Sequence, residues 1–332
     1  MADAPTLRST KEIKRPQIFF CVARQPDGQK VFCGASDGKI YAFDLAEEKP
    51  EPAELVGHTS YVTGVTTAGD VLVSCSYDGR LIWWDVATGS ILRTVDAHPK
   101  WIRRVEASPD GATVASVADD MICRVWDVRD GRLLHELRGH DPQTPNHYPS
   151  MLFACAYSPD GRLLATADKV GRTLVWDLAS GQQCAALDAP QMYTWDPKQR
   201  RHSIGGIRSL AFSPDGRLLA VGGIGQIGNI DHLGGLARVE VFDWRAGERT
   251  NELVAEKQNG LVERLIFHPQ GDWLLAAGGD NGGFIHLLDL KQNKTISEAQ
   301  APAHLHDAIL GDTPEVLFTS GHEHVMQWQL ET

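Results

Sequence analysis

The sequence predicts an all-β protein in which one unit of short strands recurs along nearly the whole chain. A pattern that ends in an apolar residue followed by aspartate returns at a spacing that begins at about 41 residues. Short apolar clusters alternate with turn-forming residues, and the 332-residue chain contains 32 glycines and 17 prolines. These features favour many short strands that are joined by tight turns.

Each copy of the unit has the same order of elements. A turn of the Pro-Asp-Gly type separates two apolar runs, as in "SPDG" at residues 108–111, 158–161 and 213–216. A third run ends in the aspartate, and a degenerate last copy, "MQWQL", lies near the C-terminus. The aspartates in register are Asp44, Asp85, Asp127, Asp177, Asp243 and Asp289.

This ordered recurrence resembles the WD-repeat (WD40) β-propeller family over nearly the whole chain. The resemblance implies one domain, residues 1–332, of seven four-stranded antiparallel blades, because stacking blades in a ring buries both faces of each sheet. The last copy lacks an outer strand, so we expect an N-terminal strand to complete that blade and close the ring. The expected blades are approximately residues 16–58, 59–98, 99–140, 147–188, 203–254, 259–298, and 303–332 with 4–13.

Serine, histidine and aspartate near "SCSYDGRLIWWD" are the residue types of a hydrolase triad. The family resemblance instead implies a structural hydrogen-bond network within a blade. Such a network is expected to recur from repeat to repeat because it satisfies buried polar groups, whereas a catalytic triad has no reason to recur. We therefore expect no catalytic residues and no enzymatic activity. The network residues implied by the resemblance are His58, Ser76, Asp78 and Trp84 in the second blade, and His98, Asp120 and Trp126 in the third.

Charge and composition exclude several other classes of function. The formal net charge is −11 and no Lys/Arg cluster opposes it, so nucleic acid is not an expected partner. No apolar run is long enough for a membrane span or a secretory signal, which favours a cytoplasmic protein without a membrane partner. The glycines at 223, 225 and 228 match a dinucleotide fingerprint, but no helix is predicted after them. We expect neither a cofactor nor a bound metal.

Function is expected on one rim of the ring, here called the top face, where the loops that precede the innermost strands emerge in this family. Long inserted loops on that rim contain Tyr148, Tyr193, Trp195 and Arg200, which are residue types favoured in binding sites. By register, one residue of each innermost strand lines the mouth of the central channel. These residues are Phe20, Thr63, Arg103, Phe153, Arg208, Glu263 and His306.

These residues predict a non-enzymatic scaffold that binds a partner peptide or loop of acidic and apolar character through the top face. Two alternatives stay open at this point. One is an enzyme or a small-ligand or metal binder at the channel mouth, where His304, His306 and Glu263 would supply the polar groups. The other is a structural subunit of a larger assembly.

Overall fold

Short strands and one 3-10 helix make up nearly all of the protein in the computed structural model, which describes residues 5–25, 28, 30–198, 202–228 and 234–331. The first strands are β1 (Thr6–Arg24), β2 (Lys30–Ala35), β3 (Lys39–Asp44), β4 (Ala53–Val56), β5 (Val62–Ala68), β6 (Val71–Ser76), β7 (Arg80–Asp85) and β8 (Ile91–Asp96). They are followed by β9 (Ile102–Ala107), β10 (Thr113–Ala118), β11 (Ile122–Asp127), β12 (Leu133–Arg138), β13 (Leu152–Tyr157), β14 (Leu163–Asp168), β15 (Arg172–Asp177) and β16 (Gln182–Asp188).

The remaining elements complete the chain. A 3-10 helix (Pro190–Met192) precedes β17 (Tyr193–Asp196), β18 (His202–Gly205), β19 (Ile207–Phe212), β20 (Leu218–Ile224), β21 (Leu236–Asp243) and β22 (Glu248–Asn259). The last strands are β23 (Leu261–Phe267), β24 (Leu274–Gly279), β25 (Gly283–Asp289), β26 (Lys294–Ala301), β27 (Leu305–Leu310) and β28 (Val316–Glu331). Within the described ranges, no helix has the length and apolar character needed to cross a membrane.

The strands form antiparallel sheets in chain order, which makes this protein an all-β propeller. Five sheets contain four strands each, namely β5–β8, β9–β12, β13–β16, β19–β22 and β23–β26. A sixth sheet has the order β27-β28-β1-β2-β3-β4, and β17 and β18 form a separate two-stranded ribbon. The innermost strands β1, β5, β9, β13, β19, β23 and β27 pack side by side around a central channel. The six-stranded sheet contributes two of them, β1 and β27.

The prediction of seven four-stranded blades is wrong, because the described residues form six blades, five of four strands and one of six. The difference arises at β1 and β28, which are long and continuous. β28 pairs with β27 through residues 317–321 and with β1 through residues 322–331. β1 then continues from its pairing with β28 to its pairing with β2.

The predicted closure of the ring by an N-terminal outer strand is therefore also wrong. Strand β1, which begins at Thr6, lies in the interior of the six-stranded sheet. In the part of the chain that the structure describes, no backbone ladder joins one sheet to the next. The blades are joined by side chains, through apolar packing, ion pairs, and hydrogen bonds such as the one that Thr63 Oγ1 donates to the carbonyl oxygen of Ile102.

Apolar side chains fill the spaces between neighbouring sheets. Between the second and third sheets along the chain, Trp83 and Leu81 pack with Ile102, Val114 and Trp126 in one cluster. The other sheets meet through similar clusters. All six cysteines are free thiols, and five of them are buried in these layers, whereas Cys184 is exposed.

An ion-pair network crosses the middle of the channel. Arg104 of β9 contacts Glu106 at 2.9 Å and Asp307 of β27 at 3.0 Å, and Arg264 of β23 pairs with the same two carboxylates. Asp307 also accepts a hydrogen bond from the backbone amide of Val22 in β1. Two positive and two negative charges thus balance one another and connect strands on different sides of the channel.

Deletion of residues 1–13 should lower the free energy of unfolding by about 3 kcal/mol or more, because it removes the apolar contacts of Leu7 and Ile13 and leaves the edge of β28 unpaired. Urea denaturation measures the change. Deletion of residues 1–5, which ends before β1, is the matched control and should have little effect. Equal stability of the two truncated proteins would contradict the importance of the β1–β28 pairing.

Candidate functional site

A β-bulge occurs at the same position of every innermost strand. In each case the pairing register with the following strand shifts by one residue, which leaves one residue outside the ladder. A bulge breaks the regular alternation of a strand and can redirect the side chain of the extra residue. The residues left out of the ladders are Phe20, Thr63, Arg103, Phe153, Arg208, Glu263 and His306.

The structure brings all seven of these predicted residues to one cavity at the top of the channel. The cavity has a volume of about 240 Å³, and Tyr77, Arg104 and Leu261 also line it. The register of the innermost strands, which could be read from the repeats, thus places one side chain per strand at the channel mouth. The bulges explain why these side chains point into a common space.

The two arginines of the channel mouth differ in their environment. Arg103 makes a bidentate ion pair with Asp119, with both N–O distances at 2.7 Å. The Arg208 guanidinium lies 3.5 Å from the centre of the Phe153 ring. The buried Nε of Arg208 has no hydrogen-bond partner among the described residues. Burial lowers the pKa of Arg208, although the negative charge of Glu263, which lines the same cavity, opposes this shift.

A row of aromatic rings extends from the channel mouth across the top face. Phe20 stacks on Tyr61 at 5.5 Å between ring centroids, Tyr61 contacts Tyr77 at 5.8 Å, and Tyr77 stacks on Trp101 at 4.6 Å. Tyr61 and Trp101 are 47% and 51% exposed, which is unusual for side chains of this size. We call these four residues the aromatic row. A groove of about 400 Å³ lies beside Tyr77 and Trp101.

Tyr61, Tyr77 and Trp101 were not among the site residues predicted from the sequence. A signal for two of them was present, because "HTSY" and "HPKW" place an aromatic residue three positions after the repeat histidines His58 and His98. Each of these aromatic residues directly precedes an innermost strand. An aromatic residue at that position therefore lies on the top face.

The inserted loops form a second aromatic group. Tyr148 packs on Trp195 at 5.3 Å between ring centroids, and the Tyr193 hydroxyl donates a hydrogen bond to Asn146 Oδ1. The structure thus brings three of the predicted loop residues together. Arg200, the fourth, lies outside the described residues.

The polar network of the second repeat contains Ser74, and not the predicted Ser76. Ser74 Oγ accepts a hydrogen bond from Trp84 Nε1 at 2.8 Å and lies 2.8 Å from His58 Nε2. His58 Nδ1 lies 3.0 Å from Asp78 Oδ2. Ser76 is buried nearby, but its hydroxyl accepts a hydrogen bond from the backbone N–H of Asp78 and does not contact His58 or Trp84 among the described hydrogen bonds. Both serines point to the same face of β6 because they are two residues apart.

The same network recurs in the two following repeats. His98 Nε2 lies 2.8 Å from Ser116 Oγ, which accepts a hydrogen bond from Trp126, and Asp120 pairs with His98 Nδ1. Burial opposes ionisation of Asp120, but His98 and Arg124 beside it lower its pKa to about 2. In the next repeat, His140, Thr166, Trp176 and Asp168 make the equivalent bonds.

These serine, histidine and aspartate side chains form hydrogen bonds inside the blades and do not face a site that a substrate could enter. Ser74 is fully buried, and its hydroxyl, which would have to act as the nucleophile, already accepts a hydrogen bond from Trp84 of the same blade. A substrate carbonyl would have to enter the blade interior to reach it. The arrangement therefore satisfies buried polar groups and links each top-face turn to the third strand of its blade.

A cluster of histidines lies beside the channel mouth. The rings of His304 and His306 are 4.4 Å apart between centroids, and His322 lies within 5.6 Å of both. Glu263 faces them across the cavity, with Oε1 3.6 Å from His304 Nε2. Burial, together with the charges of the neighbouring histidines, lowers the pKa of His306 to about 3, so this imidazole is neutral at pH 7.

Comparison with known proteins identifies the repeats. The WD40 family, described as "WD domain, G-beta repeat", matches residues 50–85, 89–127, 131–177 and 196–226. The chain is 27% identical over 259 residues to telomerase protein component 1 of Mus musculus, which covers 78% of this chain and 8% of that protein. It is 30% identical over 210 residues to nuclear distribution protein PAC1 of Arthroderma benhamiae, which covers 56% of this chain and 42% of that protein.

A third relative is the guanine nucleotide-binding protein subunit beta of Zea mays. The identity is 26% over 238 residues, and the match covers 66% of this chain and 59% of that protein. The chain thus spans less than two thirds of the length of each of these three relatives.

Replacement of Ser74 is expected to destabilise the protein more than replacement of Ser76. Ser74→Ala should lower the free energy of unfolding by about 1–3 kcal/mol, because it leaves Trp84 Nε1 and His58 Nε2 buried without partners. Ser76→Ala is the matched control and removes only one bond to a backbone amide, so its cost should be about 1 kcal/mol or less. Urea denaturation of both variants gives the comparison. A larger loss for Ser76→Ala would contradict the assignment of Ser74.

Proposed function

Because the chain contains repeats of the WD40 family, we propose that this protein is a non-enzymatic interaction scaffold whose top face binds a protein partner. Propellers of this family typically act as scaffolds for protein interactions. One of the relatives is named as a subunit of a guanine nucleotide-binding protein, which agrees with an interaction role. The fold alone does not specify a function, so the function is inferred from the residues of the top face.

The proposal is carried by the aromatic row together with Arg208, whose buried Nε has no hydrogen-bond partner in the part of the chain that the structure describes. Tyrosine, tryptophan and arginine are enriched among residues that dominate binding energy at interfaces. The row presents two large exposed rings, Tyr61 and Trp101, whose burial by a partner would be favourable. Arg208 adds a positive charge at the inner end of the same surface.

The partner segment should be both apolar and acidic. An aromatic or aliphatic side chain would cover Tyr77 and Trp101 in the groove beside them. A carboxylate of the partner would reach the Arg208 guanidinium, whose Nε has no hydrogen-bond partner among the described residues. Tyr148, Tyr193 and Trp195 extend this surface toward the inserted loops. We therefore infer that the segment is a peptide or loop that crosses the channel mouth.

A location inside the cell, without a membrane or nucleic acid partner, is part of the same proposal. The net charge of −11 disfavours contact with phosphate backbones. The buried state of the serine–histidine networks agrees with a protein that binds rather than one that catalyses.

The test measures the affinity of this protein and its variants for a partner that has been captured from the native organism and then purified. Trp101→Ala and Arg208→Gln should each weaken binding by about 2 kcal/mol, or about 30-fold, and leave the melting temperature unchanged. Arg217→Glu, which alters an exposed turn on the opposite rim, is the control and should not affect affinity. The contribution of Arg208 should also decrease at high salt.

Two results would contradict the proposal. One is a partner whose affinity falls with Arg217→Glu but not with Trp101→Ala or Arg208→Gln. The other is turnover of a small molecule by the purified protein that these top-face variants abolish.

A further inference from the structure

Two neighbouring innermost strands bring three potential metal ligands together at the channel mouth. Glu263 is the bulge residue of β23, His306 is the bulge residue of β27, and His304 lies just before β27. Each offers one ligand atom, and these atoms all lie within 4.8 Å of one another. The three side chains come from chain segments about 40 residues apart in sequence, which the packing of β23 against β27 places side by side.

The orientation of His304 leaves its Nε2 atom available to bind a metal ion. Its Nδ1 lies 3.1 Å from the backbone carbonyl oxygen of Asp280, which can only accept, so Nδ1 carries the proton of this bond. His304 is 6% exposed, and its Nε2 has no hydrogen-bond partner. The Nε2–Glu263 Oε1 distance of 3.6 Å is too long for a hydrogen bond. A histidine that donates one N–H to a carbonyl while the other nitrogen faces a carboxylate has the arrangement usual for a metal ligand.

His306, like His304, has a ring nitrogen without a hydrogen-bond partner in the described part of the chain. Its Nε2 is buried and lacks a partner among the described residues. Native proteins rarely leave such atoms unsatisfied, because a buried polar atom loses its hydrogen bonds to water and gains none in return. A proton shared by His304 and Glu263 would satisfy that pair but would leave His306 Nε2 unpaired. A cation bound by all three groups satisfies every one of them.

We propose that Glu263, His304 and His306 bind a zinc ion at the channel mouth. Two imidazoles and one carboxylate suit Zn²⁺ better than Ca²⁺ or Mg²⁺, which prefer oxygen ligands. Zinc ligands lie at about 2.0–2.2 Å from the metal, so small side-chain rotations would bring the three ligand atoms closer together. Three protein ligands leave a fourth position open, as in zinc sites that take up water or an external group.

The site would also affect recognition on the top face. Glu263 and His306 line the same cavity as Arg208 and Phe153. A zinc ion would neutralise the carboxylate and add a positive centre to this mouth. The metal site itself does not depend on the proposed partner, and its test requires none.

The test uses the 332-residue chain without a purification tag, treated with a chelator and then titrated with Co²⁺ and Zn²⁺. We expect one Co²⁺ per chain with the visible absorption of a low-coordinate site, displaced by one Zn²⁺, and a higher melting temperature with Zn²⁺. Glu263→Gln and His306→Ala should each weaken binding by at least about 10-fold. His135→Ala removes a histidine of the outer strand β12 and is the control, with unchanged binding.

The proposal is overturned if the protein shows no saturable binding of one equivalent of metal. It is also overturned if Glu263→Gln and His306→Ala bind and respond to Zn²⁺ as the unsubstituted protein does. Comparing the melting temperature of each variant without metal separates a loss of the site from a loss of folding. If His306→Ala is unfolded, Glu263→Gln, which keeps the shape of the side chain, decides the question.

Discussion

The packing of neighbouring blades against each other is the constraint on which the rest of the structure depends. A four-stranded sheet with two apolar faces is stable only when both faces are covered. The ring solves this problem, and clusters such as that of Trp83, Ile102 and Trp126 fill the spaces between sheets. Since water is excluded there, buried polar groups must pair within the protein. The Trp84–Ser74–His58–Asp78 network meets this requirement and connects the blade interior to its top-face turn.

The bulges direct one side chain of each innermost strand to the channel mouth. That residue lies outside the ladder with the following strand, and its side chain lines a cavity of the channel. The chain uses these positions for Arg208, Glu263 and His306, which are costly to bury without partners. The aromatic row continues this surface outward from Phe20 to Trp101. Partner binding and zinc binding would thus both use side chains of the channel mouth and the top face.

Much of the fold and part of the site could be predicted from the sequence. The repeats gave the register of the innermost strands, and hence the seven residues of the channel mouth. The number of blades could not be read from the repeats, because it depends on how β1 and β28 continue through one sheet. Ser74 and Ser76 share one face of β6, so spacing alone did not separate them. The approach of Glu263 to His304 depends on the packing of two strands and has no local signature in sequence.

The central claim, that recognition occurs on the top face, is tested most directly by hydrogen exchange of the protein with and without its purified partner. Protection is expected in the segments around Tyr61 and Trp101, at the start of β19 near Arg208, and in the loop that contains Trp195. The turns on the opposite rim, residues 108–111 and 213–216, should exchange equally in both states. Protection confined to those turns or to the outer strands, with the top-face segments unchanged, would contradict the claim.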